Sequence, residues 1–255
     1  MKETQRVAEG LRKVPWWNIG AWPGRIGRHE FATLLLVLAV AAGLWGFVEL
    51  AGEVAEGSTA TLDQTILLLL RNPSDPADPL GPRWLEQFAG DVTALGSVSV
   101  LVLLTLAVVV FLYLQRKTHA AALVLTAIGG GALLSTLLKL GFGRPRPDLV
   151  PHVVEVHTLS FPSGHAMLAA VTYLTLGALL ARTQPQARVK AYVLLLAVLL
   201  TLLVGLSRVY LGVHWPTDVL AGWMIGAAWA MFCWLAARWL QRRGKVERDF
   251  NGNWN

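Results

Sequence analysis

The chain has 255 residues, 55% hydrophobic and only 15% charged, with a mean hydropathy of +0.51. Its near-uniform apolar runs, each close to the ~20 residues a helix needs to cross ~30 Å of hydrocarbon, exclude a water-soluble domain. The formal charge of +6 does not point to nucleic acid, because the basic residues are not clustered with interleaved aromatics, and the single cysteine, Cys233, excludes a disulfide framework.

Residues 1–30 carry Lys2, Arg6, Arg12, Lys13, Arg25 and Arg28 with Trp16, Trp17 and Trp22 between them, and hold no apolar stretch long enough for a cleavable signal peptide. Basic residues with tryptophan predict an interfacial segment resting on anionic headgroups; a disordered basic tail is the alternative. Six apolar runs follow, at about 31–51, 96–114, 119–138, 165–181, 190–207 and 217–237. All should be helices, since a lone strand cannot satisfy its backbone in lipid. The expected fold is all-α: a six-helix membrane bundle over 31–240, with a tail at 241–255. The run Ile66–Leu70 is too short to span and is expected as a small helix in a long 52–95 loop, before the turn Asn72-Pro73-Ser74-Asp75-Pro76.

Basic residues set the expected orientation. Arg116 and Lys117, then Arg182, Arg188 and Lys190, then Arg238, Arg242, Arg243, Lys245 and Arg248 fall on the same side as the basic N-terminus. Both ends should therefore be cytoplasmic, in a bacterial inner membrane. The exceptions are Arg71, Arg83, Lys139, Arg144, Arg146 and Arg208. Four of these lie in the stretches that carry chemistry.

Those stretches all fall on the outer side. After the third run comes Lys139-Leu-Gly-Phe-Gly-Arg144-Pro-Arg146-Pro147; before the fourth, Phe161-Pro162-Ser163-Gly164-His165; between the fifth and sixth, Ser207-Arg208 and then His214-Trp215-Pro216-Thr217-Asp218. Charged groups at the edge of an apolar span are functional candidates. If a helix starts near Trp215-Pro216, Asp218 lies one turn in and can accept the Nδ1 proton of His214, leaving Nε2 a free lone pair. Lys139, Arg146 and Arg208, with a helix start at Ser163-Gly164, suit a tetrahedral oxyanion. Gly164 lets the backbone approach such a ligand closely.

Lys139 with six residues to Arg146-Pro147, Pro162-Ser163-Gly164-His165, and Ser207-Arg208 with five residues to His214 and three more to Asp218 resemble the three-part signature of the type 2 phosphatidic acid phosphatase superfamily. The resemblance covers roughly residues 90–237. It implies a membrane phosphatase with His214 as nucleophile forming a phosphohistidine, Asp218 orienting it, and His165 as general acid and then base. Lys139, Arg146, Arg208, Ser163 and the Gly164 amide would bind the phosphoryl oxygens. No cluster has convincing metal-ligand spacing, so no cofactor and metal-independent catalysis are expected. A lipid phosphate or diphosphate is the expected substrate, with membrane lipids as neighbours and no nucleic acid. Undecaprenyl diphosphate, phosphatidylglycerophosphate, phosphatidic acid and lipid A phosphates stay open. So do a soluble ester such as a hexose phosphate and a non-catalytic lipid-binding or transport relative; haloperoxidase chemistry is disfavoured, as such chains are usually soluble.

Other conspicuous residues have plainer readings. Arg144, outside the fixed signature positions, is read as touching substrate or headgroup, or as solvated or snorkelling. His152 and His157 read as plain loop residues, with a ligand role as the lesser alternative, and Asp148 and Glu155 as solvated charges. Gly129-Gly130-Gly131 and Gly222 with Gly226 read as surfaces for close helix packing within the bundle, with a homodimer left open. Cys233 reads as core. Trp215, Trp223, Trp229, Trp234 and Trp239 read as interfacial belts and packing rather than a binding box.

Overall fold

The computed structural model describes residues 28–148 and 159–243. Most of the expected interfacial segment, the loop residues His152, Glu155 and His157, and the tail from 244 onward lie outside the described residues. The chain divides into two compact units, Met1–Leu35 and Leu36–Asn255. The described part of the first is the opening of one helix. The second holds everything that follows.

In chain order the described elements are α1 (Arg28–Glu56), α2 (Ala60–Leu69), the antiparallel ribbon β1 (Arg71–Asn72) and β2 (Asp75–Pro79), α3 (Arg83–Ala94), α4 (Val98–Leu114), α5 (Thr118–Gly141), α6 (Gly164–Thr183), α7 (Ala187–Tyr210) and α8 (Pro216–Arg242). Within these, α1, α5, α6, α7 and α8 are each long and apolar enough to cross a membrane. The sixth crossing needs α3 and α4 together, a pair bent by 47°. The expected second span at 96–114 is thus the longer limb of this bent pair. Ser97 opens that limb by accepting a hydrogen bond from Val100 N at 3.3 Å.

The expected 52–95 loop is corrected. Most of it is regular: the end of α1, then α2, the ribbon and α3. The small helix expected at Ile66–Leu70 is the second half of α2, whose first half is too polar for a hydropathy reading to detect. Asp63 and Leu67, one turn apart, are both fully buried. Arg71 ties the ribbon to the bundle by donating to the Tyr210 carbonyl at 2.8 Å.

Helix α6 forms the centre of the bundle, with Ala166, Met167, Ala169, Ala170 and Val171 all fully buried. Its small residues let α8 approach backbone to backbone. A Cβ added at Gly222 would stand 2.7 Å from the Ser163 carbonyl oxygen, and one at Gly226 would stand 2.6 Å from that of Met167. Both glycines are therefore used inside the bundle. Gly130 and Gly131 likewise face Trp229 and Val171, while Gly129 faces open space. In the absence of a hydrophobic drive between helices in lipid, such close approach is what holds them. A Gly226→Leu variant should lower the thermal unfolding midpoint, at a cost of about 1–3 kcal/mol from overpacking. It should also lose activity, because His165 lies in the first turn of α6 and His214 directly precedes α8; an unchanged midpoint would contradict this packing.

Cys233 is buried, as expected of core. Outward faces carry exposed apolar side chains such as Trp45, Leu103, Leu140 and Leu195. In this chain they form the surface presented to lipid.

Candidate active site

Helix α7 ends in a turn that returns the chain to the bundle. Gly212, at φ 72°, occupies the left-handed region that a glycine enters without strain. Its amide bonds the Val209 carbonyl at 3.0 Å, and Val213 N bonds the Arg208 carbonyl at 3.2 Å, a Schellman pairing. Two residues later His214 is almost fully buried, just ahead of the Trp215 N-cap and Pro216 at the first position of α8. The helix start expected from Trp215-Pro216 is where it was anticipated. Asp218, at the third position, accepts from Trp215 N at 2.9 Å and stands 3.4 Å from His214 Nδ1.

The tautomer of His214 follows from its other neighbour. Arg146 Nη1 lies 3.1 Å from Nε2, and a guanidinium only donates, so Nε2 accepts and the proton sits on Nδ1. Burial, opposed by Asp218, lowers the imidazole pKa to about 4. At neutral pH the ring is uncharged, with its Nε2 lone pair turned toward the cations.

Sequence reading missed the groups that hold Asp218. Ser160 Oγ donates to its Oδ2 and lies 3.4 Å from His214 Nδ1. Arg144 donates to its Oδ1 at 2.6 Å and, through the other nitrogen of the fork, to Asp63 Oδ2 at 2.6 Å. The solvated or snorkelling role offered for Arg144 is therefore corrected: its side chain is 14% exposed and clamped between two fully buried carboxylates. Its guanidinium also stacks 5.6 Å from the Trp215 ring centre, and Trp215 Nε1 bonds the Pro145 carbonyl at 3.1 Å. An arginine two residues before Arg146 was the available signal for this clamp. Asp63 left none, being separated from the stretch by the whole of the α3–α5 region.

The second stretch sits against the first turn of α8. Ser163 N donates to the Asp218 carbonyl at 2.9 Å, which joins the two helix starts. Ser163 caps α6 without a side-chain bond, and its buried Oγ has no partner among the described residues. Behind this turn Phe161 stacks on Phe47 at 6.0 Å and meets Phe142 edge-on at 5.0 Å. Lys139 donates to the Leu159 carbonyl at 3.3 Å, and its Nζ is 3.6 Å from where a Gly164 Cβ would be. The ammonium thus lies within ordinary van der Waals reach of this glycine. Arg146 also donates to the Val213 carbonyl at 2.6 Å, while Arg208, 2% exposed, donates to Thr93 Oγ1 at 3.0 Å and leaves its Nε unpartnered among the described residues. His165 is half-buried, and the charges of Arg208, His214, Lys139 and Arg146 all bear on it. Gly96, at the bend between α3 and α4, makes room for Val204 of α7: a Cβ there would stand 2.3 Å from Val204 Cγ1, with His165 Cδ2 beyond at 3.4 Å.

All eight expected site residues, His214, His165, Asp218, Lys139, Arg146, Ser163, Gly164 and Arg208, thus gather at one end of α5, α6, α7 and α8. Asp148, expected as a solvated charge, is exposed. The arrangement offers a neutral imidazole, a second imidazole, three cations and the free amides of a helix start. That set can receive a tetrahedral dianion, attack its centre and protonate a departing oxygen. A separate cavity of about 280 Å³ at the other end of these helices is lined by Lys117, His119, Arg182 and Arg238 and contains none of these groups.

Comparison with known proteins places the chain in one family. The profile of the PAP2 superfamily matches residues 120–242. Phosphatidylglycerophosphatase B of Bacillus subtilis (strain 168) is 35% identical over 184 residues, covering 71% of this chain and 85% of that protein. An undecaprenyl-diphosphatase of Sulfolobus acidocaldarius is 44% identical over 100 residues, 39% of this chain and 42% of the relative. Among solved structures, a transmembrane PAP2-type phosphatidylglycerolphosphate phosphatase from Bacillus subtilis superposes with a TM-score of 0.67 at 31% identity, covering 82% of this chain and 98% of that one.

Proposed function

The chain belongs to the PAP2 superfamily and is a multi-pass membrane phosphatase, and from that premise we propose that it removes the terminal phosphate of a lipid phosphate or diphosphate through a phosphohistidine at His214. The observation that carries this reading is His214 itself: buried, proton on Nδ1 toward Asp218, lone pair on Nε2 facing Arg146. In the first step Nε2 attacks phosphorus in line, the bond to the leaving oxygen breaks, and His165 gives that oxygen a proton. In the second, water attacks the phosphohistidine, His165 takes a proton from it, and His214 leaves with its electron pair. Lys139, Arg146, Arg208, Ser163 Oγ and the amides at the start of α6 neutralise the phosphoryl oxygens, which is most of what such a transfer demands.

The membrane setting supports a lipid. The site lies at the ends of spanning helices whose outer faces are apolar, so a chain can lie alongside while its headgroup enters. Lys117, Arg182 and Arg238 mark the opposite ends of α5, α6 and α8. By the positive-inside rule that end faces the cytoplasm, so the site opens outward with both chain ends cytoplasmic, in a bacterial inner membrane. The test is phosphate release by the purified protein across phosphatidylglycerophosphate, undecaprenyl diphosphate, phosphatidic acid, a lipid A phosphate and glucose 6-phosphate. A clear preference for the soluble ester would overturn the lipid reading.

Because protein cations and amides do the charge neutralisation, chelation should leave turnover unchanged. Incubation with excess EDTA, followed by the same assay, checks this. Full inhibition reversed by one divalent metal would replace the reading with a metal-assisted one.

A further inference from the structure

We propose that Asp63, on α2 and outside the stretch matched by the family profile, is a positioning residue for this reaction: it anchors Arg144 and keeps the charge behind His214 negative. The inference rests on the phosphohistidine reading of the same site.

Asp63 is a fully buried carboxylate with three close donors. Its Oδ1 accepts from Thr217 N at 3.0 Å, and its Oδ2 accepts from Thr217 Oγ1 at 2.6 Å and from Arg144 Nη2 at 2.6 Å. Packing alone does not call for a charge there. Leu67, one turn on, already seats α2 in an apolar cluster with Ala166, Val209, Trp215 and Val219. A buried charge is unfavourable unless it is paired and hydrogen-bonded, and Asp63 is both.

The consequence lies in the count of charges. Arg144 Nη1 is bonded to Asp218 Oδ1 and also to Thr217 Oγ1 at 2.8 Å. A single guanidinium between two carboxylates leaves a net charge of about −1 behind His214. Without Asp63, Arg144 would cancel Asp218 outright. The imidazole, facing Arg146, Arg208, Lys139 and His165 on its other side, would then meet no opposing negative charge as it takes on positive character in the phosphohistidine. Asp63 also holds the guanidinium by its second nitrogen, so that Asp218 Oδ1 stays engaged while Oδ2 remains for Trp215 N, Ser160 and His214.

The test uses the full-length protein in lipid nanodiscs and compares Asp63→Asn, Arg144→Gln and the double variant. Readouts are kcat, KM, the thermal midpoint and the rate of acid-labile ³²P incorporation at His214. Asp63→Asn should lower kcat by about 10²-fold with little change in KM, as expected of misplaced reacting groups. The double variant should recover part of that loss, since an unbalanced Arg144 no longer neutralises Asp218. A residue that merely caps α8 predicts the opposite, with the two losses adding. A double variant no faster than Asp63→Asn, or a kcat for Asp63→Asn within twofold of wild type, would overturn the proposal. If Asp63→Asn does not fold, the comparison passes to Arg144→Gln against the double variant. Similar kcat values support the charge role, and a clearly slower double variant overturns it. Absence of ³²P on His214 in the wild type would instead remove the phosphohistidine reading. Normal wild-type labelling with unaltered labelling of Asp63→Asn sinks this inference alone.

Discussion

A His214→Ala variant should release phosphate at least about 10⁴-fold more slowly than the wild type and form no phosphoenzyme, in line with the loss of a nucleophile from a coupled site. The protein should still fold. Asp218 keeps Trp215 N, Ser160 and Arg144 as partners when the imidazole is gone, so no buried carboxylate is stranded. The Schellman turn at Gly212 and the N-cap of α8 use backbone groups that the substitution does not touch. Turnover, ³²P labelling and the thermal midpoint of the variant check this together. Retained turnover in a folded variant would exclude His214 as nucleophile and shift attention to direct attack by water.

A His165→Ala variant should divide substrates by their leaving groups. Donating a proton matters when the departing oxygen is a poor leaving group, as in an alkyl phosphate, and contributes about 10²–10⁴-fold there. With an aryl phosphate that leaves without help, the first turnover should stay close to the wild-type rate. Phosphoenzyme should then accumulate, because the second step also lacks its base. Rapid-quench measurement of the first turnover on both substrate types separates the two steps. Equal losses across leaving groups would argue that His165 binds phosphate rather than moving a proton.

The part of the site legible in the sequence was the part built from local geometry. His214 and Asp218 are four residues apart across a helix start, so a proline and a turn of helix are enough to bring them together. Ser163 and Gly164 open α6 for the same kind of reason. The spans were legible because a helix in lipid must be apolar over a fixed length whatever it packs against. The exception is the second span, where hydropathy found α4 but not the amphipathic α3 that completes it across a 47° bend.

What surrounds Asp218 was not legible, because its partners come from elsewhere in the chain. Asp63 lies 154 residues from Thr217 and 81 from Arg144, on a helix that a hydropathy reading reduces to a fragment of loop. A lone aspartate in a polar stretch looks solvated until the fold shows that it is fully buried. Gly96 was equally silent, since its role depends on how closely Val204 of α7 passes a bend that only the packed bundle creates. Sequence by itself therefore determined most of the spans and which histidines and cations belong together, because each is specified by spacing along one helix or one turn. Only the tertiary structure decided that one arginine is shared by two buried carboxylates behind His214, because low-dielectric burial and convergence of distant segments create that pairing.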